Sequence, residues 1–216
     1  TLTKIKEEKM TVISIAKFKP HPGKAKLLLS NMQENVKMFS EMGITARISR
    51  DMFGPDAGAL SFSTFSSSFT ESMSNIEKVF ASEFWAKVQM RMDDNPSGDL
   101  ILPLTLIRTL AGEMKSTHRY TMWRWYHIKR DKMPMAMDLF PEIERMCNAV
   151  DLNPIMLAPV TGEPMSSAVI GYGATSLKAS GKAMDEMGMS DEFRSLVEKA
   201  AAFGELFRAW MSVPVD

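Results

Sequence analysis

One cysteine, three histidines and no long apolar run set the first limits on this chain of 216 residues. The lone thiol, Cys147, excludes an intrachain disulfide framework and fits a reducing compartment. The best candidate for a membrane span, Leu100–Ile107, is eight residues long and holds Pro103, far short of the roughly 20 apolar residues that a spanning helix needs. The opening, Thr1–Met10, is charged and lacks an apolar secretory stretch, so the expected location is cytoplasmic and no membrane association is expected. Lys+Arg and Asp+Glu both total 26, which leaves no net field to attract nucleic acid.

The familiar cofactor and catalytic motifs are missing too. His21, His118 and His127 have no ligand spacing, and Met133, Met135 and Met137 have no Cys or His beside them, so no metal is expected. Gly171-Tyr172-Gly173-Ala174-Thr175-Ser176 has Ser176 where a dinucleotide loop needs its third glycine. Ser180-Gly181-Lys182-Ala183 lacks both the first glycine and the final hydroxyl of a phosphate loop. No Gly-x-Ser-x-Gly elbow occurs, and Cys147 beside Met146 reads as an inert core thiol. No cofactor is expected. The twenty methionines read as core filling, since thioethers adapt to irregular gaps.

What the chain does have is repetition. At an offset of 109, Ile13–Phe18 falls on Met122–His127, Ala59–Phe65 on Ala168–Ala174, and Glu83-Phe84 on Glu192-Phe193. The first copy opens with a β-branched run, Thr11–Phe18, that ends in a Pro-Gly turn. Leu28, Met32, Val36 and Phe39 then recur at helical steps, with Gly43 placed to close the helix. Two alternating runs, Thr45–Arg50 and Ala59–Phe65, flank a Gly-rich hairpin turn. Ser74 and Glu77 have capping-box spacing before a second helix with the stripe Ile76, Phe80, Phe84 and Val88, and Leu100–Arg108 supplies a fourth strand.

The same order returns as strand Tyr120–His127, a helix around Met135–Val150, strands Pro154–Val160 and Ala168–Ala174, helical sequence to about Phe203, and Glu205–Val215 in the place of a last strand. Pro141 is expected to kink or delay the first of those helices, and Gly188 to break the second. The expected organisation is one repeat over residues 1–110, a connector over 111–118 and a second repeat over 119–216.

A β-α-β-β-α-β unit is an antiparallel sheet with both helices on one face, so its other face stays open unless a second sheet covers it. The expected fold is therefore α+β, with two tandem ferredoxin-like repeats whose sheets pack into one barrel. That order, together with Ser82-Glu83-Phe84-Trp85 and its counterpart Asp191-Glu192-Phe193-Arg194, resembles the dimeric α+β barrel superfamily in fused form. The superfamily includes the antibiotic-biosynthesis monooxygenase, EthD and NIPSNAP families. The resemblance implies a small-molecule protein, with cofactor-independent oxygenation as one activity and a non-catalytic binding or assembly role as the alternative. Haem-degrading relatives carry a histidine after that run, where this chain has Ala86-Lys87-Val88 and Ser195-Leu196-Val197. Further association into a homodimer fits such barrels.

Alternation along the strands sorts side chains by face. Ile13, Ile15, Ile48, Leu60 and Phe62 form one set, expected under the helices. Ser14, Ala16, Phe18, Arg47, Ser49, Ser61, Ser63 and Phe65 form the other, expected inside the barrel. The offset adds Trp123, Trp125, His127 and Tyr172 to the barrel side and turns Arg124 and Tyr126 toward the helices, while a register slip of one residue exchanges those sets. Small polar residues on an enclosed face leave room for a hydrophobic or aromatic, partly anionic ligand. Arg47 or Arg124 would steady its charge, Trp123, Trp125, Ser49, Ser61, Ser63 and Phe65 would line it, and Tyr172, Tyr126 or His127 would move a proton.

Overall fold

In the computed structural model, residues 11–162 and 164–215 are described; the charged opening Thr1–Met10 lies outside them. The first unit runs β1 (Val12–Pro20), α1 (Ala25–Glu41), β2 (Thr45–Phe53), β3 (Leu60–Ser66), α2 (Phe69–Phe80), α3 (Glu83–Asp94) and β4 (Gly98–Gly112). The second runs β5 (Tyr120–Ile128), a 3-10 turn, α4 (Met133–Asp138), α5 (Phe140–Ala149), β6 (Asn153–Pro159), β7 (Ser167–Ala174), α6 (Leu177–Ala183), a π turn (Met184–Gly188), α7 (Asp191–Ala201) and β8 (Gly204–Pro214).

All eight strands pair antiparallel into one closed barrel in the order β1-β3-β2-β8-β5-β7-β6-β4, with β4 returning to β1. Each unit contributes its own four strands in the same internal order. Two seams join the units: β2 against β8, from Ser49↔Pro214 to Phe53↔Met211, and β4 against β6, from Ile107↔Pro159 to Gly112↔Ile155. Closure removes the exposed sheet edges that would otherwise invite aggregation.

The local chemistry accounts for the elements. The helix α1 carries Leu28 and Met32 onto Ile48 and Leu60, and Gly43 closes it at φ +77°, a conformation that costs glycine nothing. Four helices begin on a serine whose hydroxyl accepts the backbone N–H three residues on: Ser68, Ser82, Ser176 and Ser190. The second helix of the first unit starts earlier than Ser74 and Glu77 imply. Ser68 caps it, Glu71 reaches back to the Ser67 N–H at 2.7 Å, and a second cap at Ser82 divides the stripe between α2 and α3. Pro141 stands in the first turn of α5 and marks the break after α4, and the π turn ends at Gly188.

The face assignment of β1 is reversed from the sequence expectation. Ile13 pairs directly with Phe65 and Ile15 with Ser63, so these isoleucines share the barrel interior with residues of β3. Ser14, Ala16 and Phe18 point to the helices instead, where the Ser14 hydroxyl lies 3.2 Å from that of Ser72. An apolar β-branched side chain serves either face, and hydrophobicity alone did not separate them. No described helix is long and apolar enough to cross a membrane.

Candidate functional site

The barrel encloses a cavity of about 210 Å³, smaller than the roughly 300 Å³ at which small-molecule pockets usually begin. Part of the interior is filled by Ile13, Phe65, Ile155 and Leu157, packed with Ile107, Met114, Trp123 and Val169. The rest is polar and aromatic. Ser49, Ser61, Ser63 and Ser212 supply hydroxyls, and Arg47 stands with its guanidinium 4.9 Å from the Phe65 ring centre. Trp123 and Trp210 stack with centroids 6.1 Å apart, and Trp125 meets Trp210 edge to face. The Trp123 indole donates to Ser212 Oγ at 2.8 Å, which ties β5 to β8.

Charges of both signs gather where β1, β2 and β8 meet. Lys17 Nζ sits 2.7 Å from Asp51 Oδ2 and 3.7 Å from Asp56, and it lies 5.0 Å above the Trp210 ring. Arg208 closes the cluster with a 2.9 Å bond to Asp56. The Asp51 side chain is 1% exposed and that of Lys17 is 8% exposed. Burial holds the Asp51 carboxyl above its ordinary range, with the Lys17 ammonium pulling the other way. The hairpin turn packs tightly here: at Gly54 (φ +104°) a Cβ would fall 2.6 Å from the Trp210 Cβ, so only glycine lets the turn approach β8 this closely.

Arg47, Ser49, Ser61, Ser63, Phe65, Trp123 and Trp125 all line this cavity. Three other candidates lie behind the sheet. Tyr172 is packed among Ile170, Phe193 and Cys147 in the helix-side core of the second unit, Tyr126 packs against the same cluster, and Arg124 covers the rings of Phe193 and Tyr172 at 5.2 and 6.0 Å. Burial, reinforced by Tyr126 and opposed by Arg124, raises the Tyr172 phenol well above its usual range. It is a packed core residue that does not line the cavity. His127 follows a bulge between Trp125 and Tyr126 in the β5–β8 pairing and lies exposed against Phe207, at 4.6 Å between ring centres. It too is outside the cavity.

Lys17, Asp51, Asp56, Arg208, Trp210 and Ser212 line the cavity without having been singled out in the sequence. The signal for Asp51 was present: it continues the alternation of Arg47 and Ser49, one residue beyond the assigned end of the strand. Lys17 was hidden by the reversed face of β1. Among the described residues, no three His, Cys, Asp or Glu side chains come together as a metal site.

A second space lies outside the barrel wall, between the first unit's sheet and its helices, with a volume of about 380 Å³. Phe18, Phe39, Phe62 and Phe84 form its walls, and Asn31, Asn35, Asn75 and Arg91 bring polar groups to it. Arg91 is engaged by Glu34 and by Asn35 at 2.9 Å. The corresponding space in the second unit is packed with Phe140, Met146, Cys147, Met156, Tyr172 and Phe193.

No family model and no curated protein matches this chain. Solved structures do. An anthrone oxidase-like protein matches over 97% of this chain and 93% of its own, with a TM-score of 0.66 and 14% identity. A candidate monooxygenase from Fusobacterium nucleatum matches over 96% and 94%, at 0.67 and 8% identity. A candidate chlorite dismutase matches over 96% and 95%, at 0.58 and 13% identity. At such identities the likeness concerns the fold: two ferredoxin-like repeats in one chain closing a dimeric-type α+β barrel.

Proposed function

We propose that this protein binds a small hydrophobic or aromatic, partly anionic molecule inside the barrel and acts on it as a cofactor-independent, monooxygenase-like enzyme. The observation that carries the reading is the pairing of a stacked Trp123–Trp210 wall with a bank of serines in one barrel cavity. Indole faces favour a flat ring, and the hydroxyls of Ser49, Ser61 and Ser63 fix its orientation. Arg47 is the cation for an oxygen that carries negative charge. Structural likeness to an anthrone oxidase-like protein and to candidate monooxygenases supports the same class of chemistry.

A second reading places a larger, more apolar ligand in the helix-side space of the first unit. Its volume of about 380 Å³ favours that reading, and it suits either a catalyst or a carrier. Two filling substitutions separate the readings. S63W occupies the barrel and A16W occupies the helix-side space, and each folded variant is screened for thermal stabilisation by phenols, aromatic acids and polycyclic phenols. Loss of stabilisation in S63W alone supports the barrel site. Loss in A16W alone moves the ligand outside it, and no stabilisation of the parent protein by any compound counts against a small-molecule function.

A further inference from the structure

The same irregularity occurs twice at one end of the barrel. Along β1 and β4, Lys17 pairs with Leu102 and Phe18 with Leu100, which leaves Ile101 as an extra residue. Along β5 and β8, Trp125 pairs with Arg208 and Tyr126 with Leu206, which leaves Phe207. The two bulges are equivalent, since the β1–β3 pairing superimposes on the β5–β7 pairing with Lys17 on Trp125 and Phe18 on Tyr126. A bulge breaks alternation and turns consecutive side chains to one face. Ile101 and Leu102 accordingly both line the barrel cavity. Phe207 turns the same way beside Arg208, with its ring 5.9 Å from that of Trp125 on the cavity wall.

Both bulge residues are apolar, yet Ile101 is 41% and Phe207 55% exposed. A lone exposed apolar side chain needs no explanation; two at equivalent bulges on one mouth do. In the barrel order, β4 and β8 stand on opposite walls. The mouth lies where β1 and β5 finish, with Pro20 paired to Gly98 and Ile128 to Gly204. The other end is stopped: the connector after β4 sets Met114 against Ile13, Phe65, Ile155 and Leu157, and the His118 carbonyl lies where a side chain on Gly173 would project.

We propose that Ile101 and Phe207 form the portal of the barrel, the paired side chains between which a small molecule reaches the cavity and whose bulk sets how fast and how wide a solute is admitted. That the passenger is a ligand rests on the barrel reading above.

Tryptophan fluorescence reads the route without a ligand. Of the four tryptophans, Trp123, Trp125 and Trp210 line the cavity and Trp85 lines the helix-side space, so W85F leaves only cavity reporters. In that background I101C and K115C, one at each end, are labelled with N-benzylmaleimide, the native Cys147 being buried. Labelled I101C is expected to lower the rate constant of dynamic acrylamide quenching at least about twofold, well inside the range over which one route's entry rates vary, and labelled K115C to leave it unchanged. I101A, which keeps the Phe207–Trp125 contact, is expected to raise quenching by the bulkier succinimide more than by acrylamide. A fall for labelled K115C as large as that for labelled I101C, no fall in either, or an I101A variant that quenches like the parent overturns the portal. A portal established by quenching in a parent protein that no phenol or aromatic acid stabilises sinks the barrel reading alone. Ligand stabilisation lost in S63W, with no effect of either label on quenching, sinks the portal alone.

Discussion

Trp123 occupies the space into which a side chain at Gly171 would project: a Cβ there would lie 2.5 Å from Trp123 Cζ3 and 3.0 Å from Ile155 Cγ2. The two residues are direct partners across β5 and β7, so glycine on one strand is the seat for indole on the other. G171A is expected to cost about 1–3 kcal/mol, the usual range for overpacking a filled interior. The thermal midpoint should fall and the near-ultraviolet circular dichroism of the tryptophans should change. An unaltered spectrum and midpoint would mean that the ring does not rest there.

Lys17 and Asp51 form a buried ion pair, and breaking one partner of such a pair leaves an uncompensated charge. K17M is expected to destabilise the protein by about 3–5 kcal/mol near neutral pH, while K17M/D51N recovers most of the loss. The folded-state Asp51 carboxyl titrates above its unfolded value of 3.8. The protonated form therefore stabilises folding most below that value, and this contribution is lost as pH rises through the raised one. The K17M penalty, with Asp56 and Arg208 still facing the site, should be smaller at pH 4 than at pH 8 in chemical denaturation.

Cys147 is fully buried, and burial pushes its thiol up to about 12, with Glu144 adding to the rise. In the native protein it should resist iodoacetamide at pH 8 and react at once in denaturant. Since the thiol's folded value exceeds the unfolded 9.0, its contribution to stability is complete below 9.0 and is lost as pH climbs toward 12. Rapid native-state alkylation, read by mass spectrometry, would contradict the packing described for α5.

Arg124 lies across Phe193 and Tyr172. Removing its stem and charge together in R124A is expected to cost more than R124M, which keeps the packing, and the difference between them should be about 1–2 kcal/mol. Denaturation of both variants in an F193L background measures the coupling directly. Equal losses in both backgrounds would deny the cation–ring contact.

Deleting residues 119–216 removes β5 to β8 and exposes β2 along Ser49–Phe53 and β4 along Ile107–Gly112. The bared interior face includes Ile13 and Phe65. The remaining fragment should aggregate or self-associate, which size-exclusion chromatography would reveal. A well-behaved monomer would show that the first unit does not need its partner sheet.

The order of elements was legible in the sequence because strand alternation, helical periodicity and turn chemistry agree with one another, whereas the capping serine was misassigned to Ser74 in place of Ser68 and Ser82. The faces were less so, for a definite reason. The paired strands superimpose at a step of 108, taking Ile13↔Phe65 to Thr121↔Gly173 and Arg47↔Ser63 to Ile155↔Gly171, one residue short of the step that aligns the sequences most readily. A slip of one reverses every face. For β5 that slip cancelled the reversed face of β1, so Trp123 and Trp125 were correctly turned inward. For β7 nothing cancelled it, and Tyr172 was placed in the barrel when Gly171 and Gly173 line that side. The charged cluster was beyond reach because it is assembled from β1, the β2–β3 hairpin and β8, strands far apart in the chain.

The unequal filling of the two helix-to-sheet spaces divides the labour of the molecule. Residues from Ile128 to Phe203 build the denser keel that keeps the barrel upright, while the roomier first unit carries the larger unfilled chamber. For a ligand held in that chamber, as in the second reading, selectivity would be set at Thr64 and its neighbours on the chamber wall.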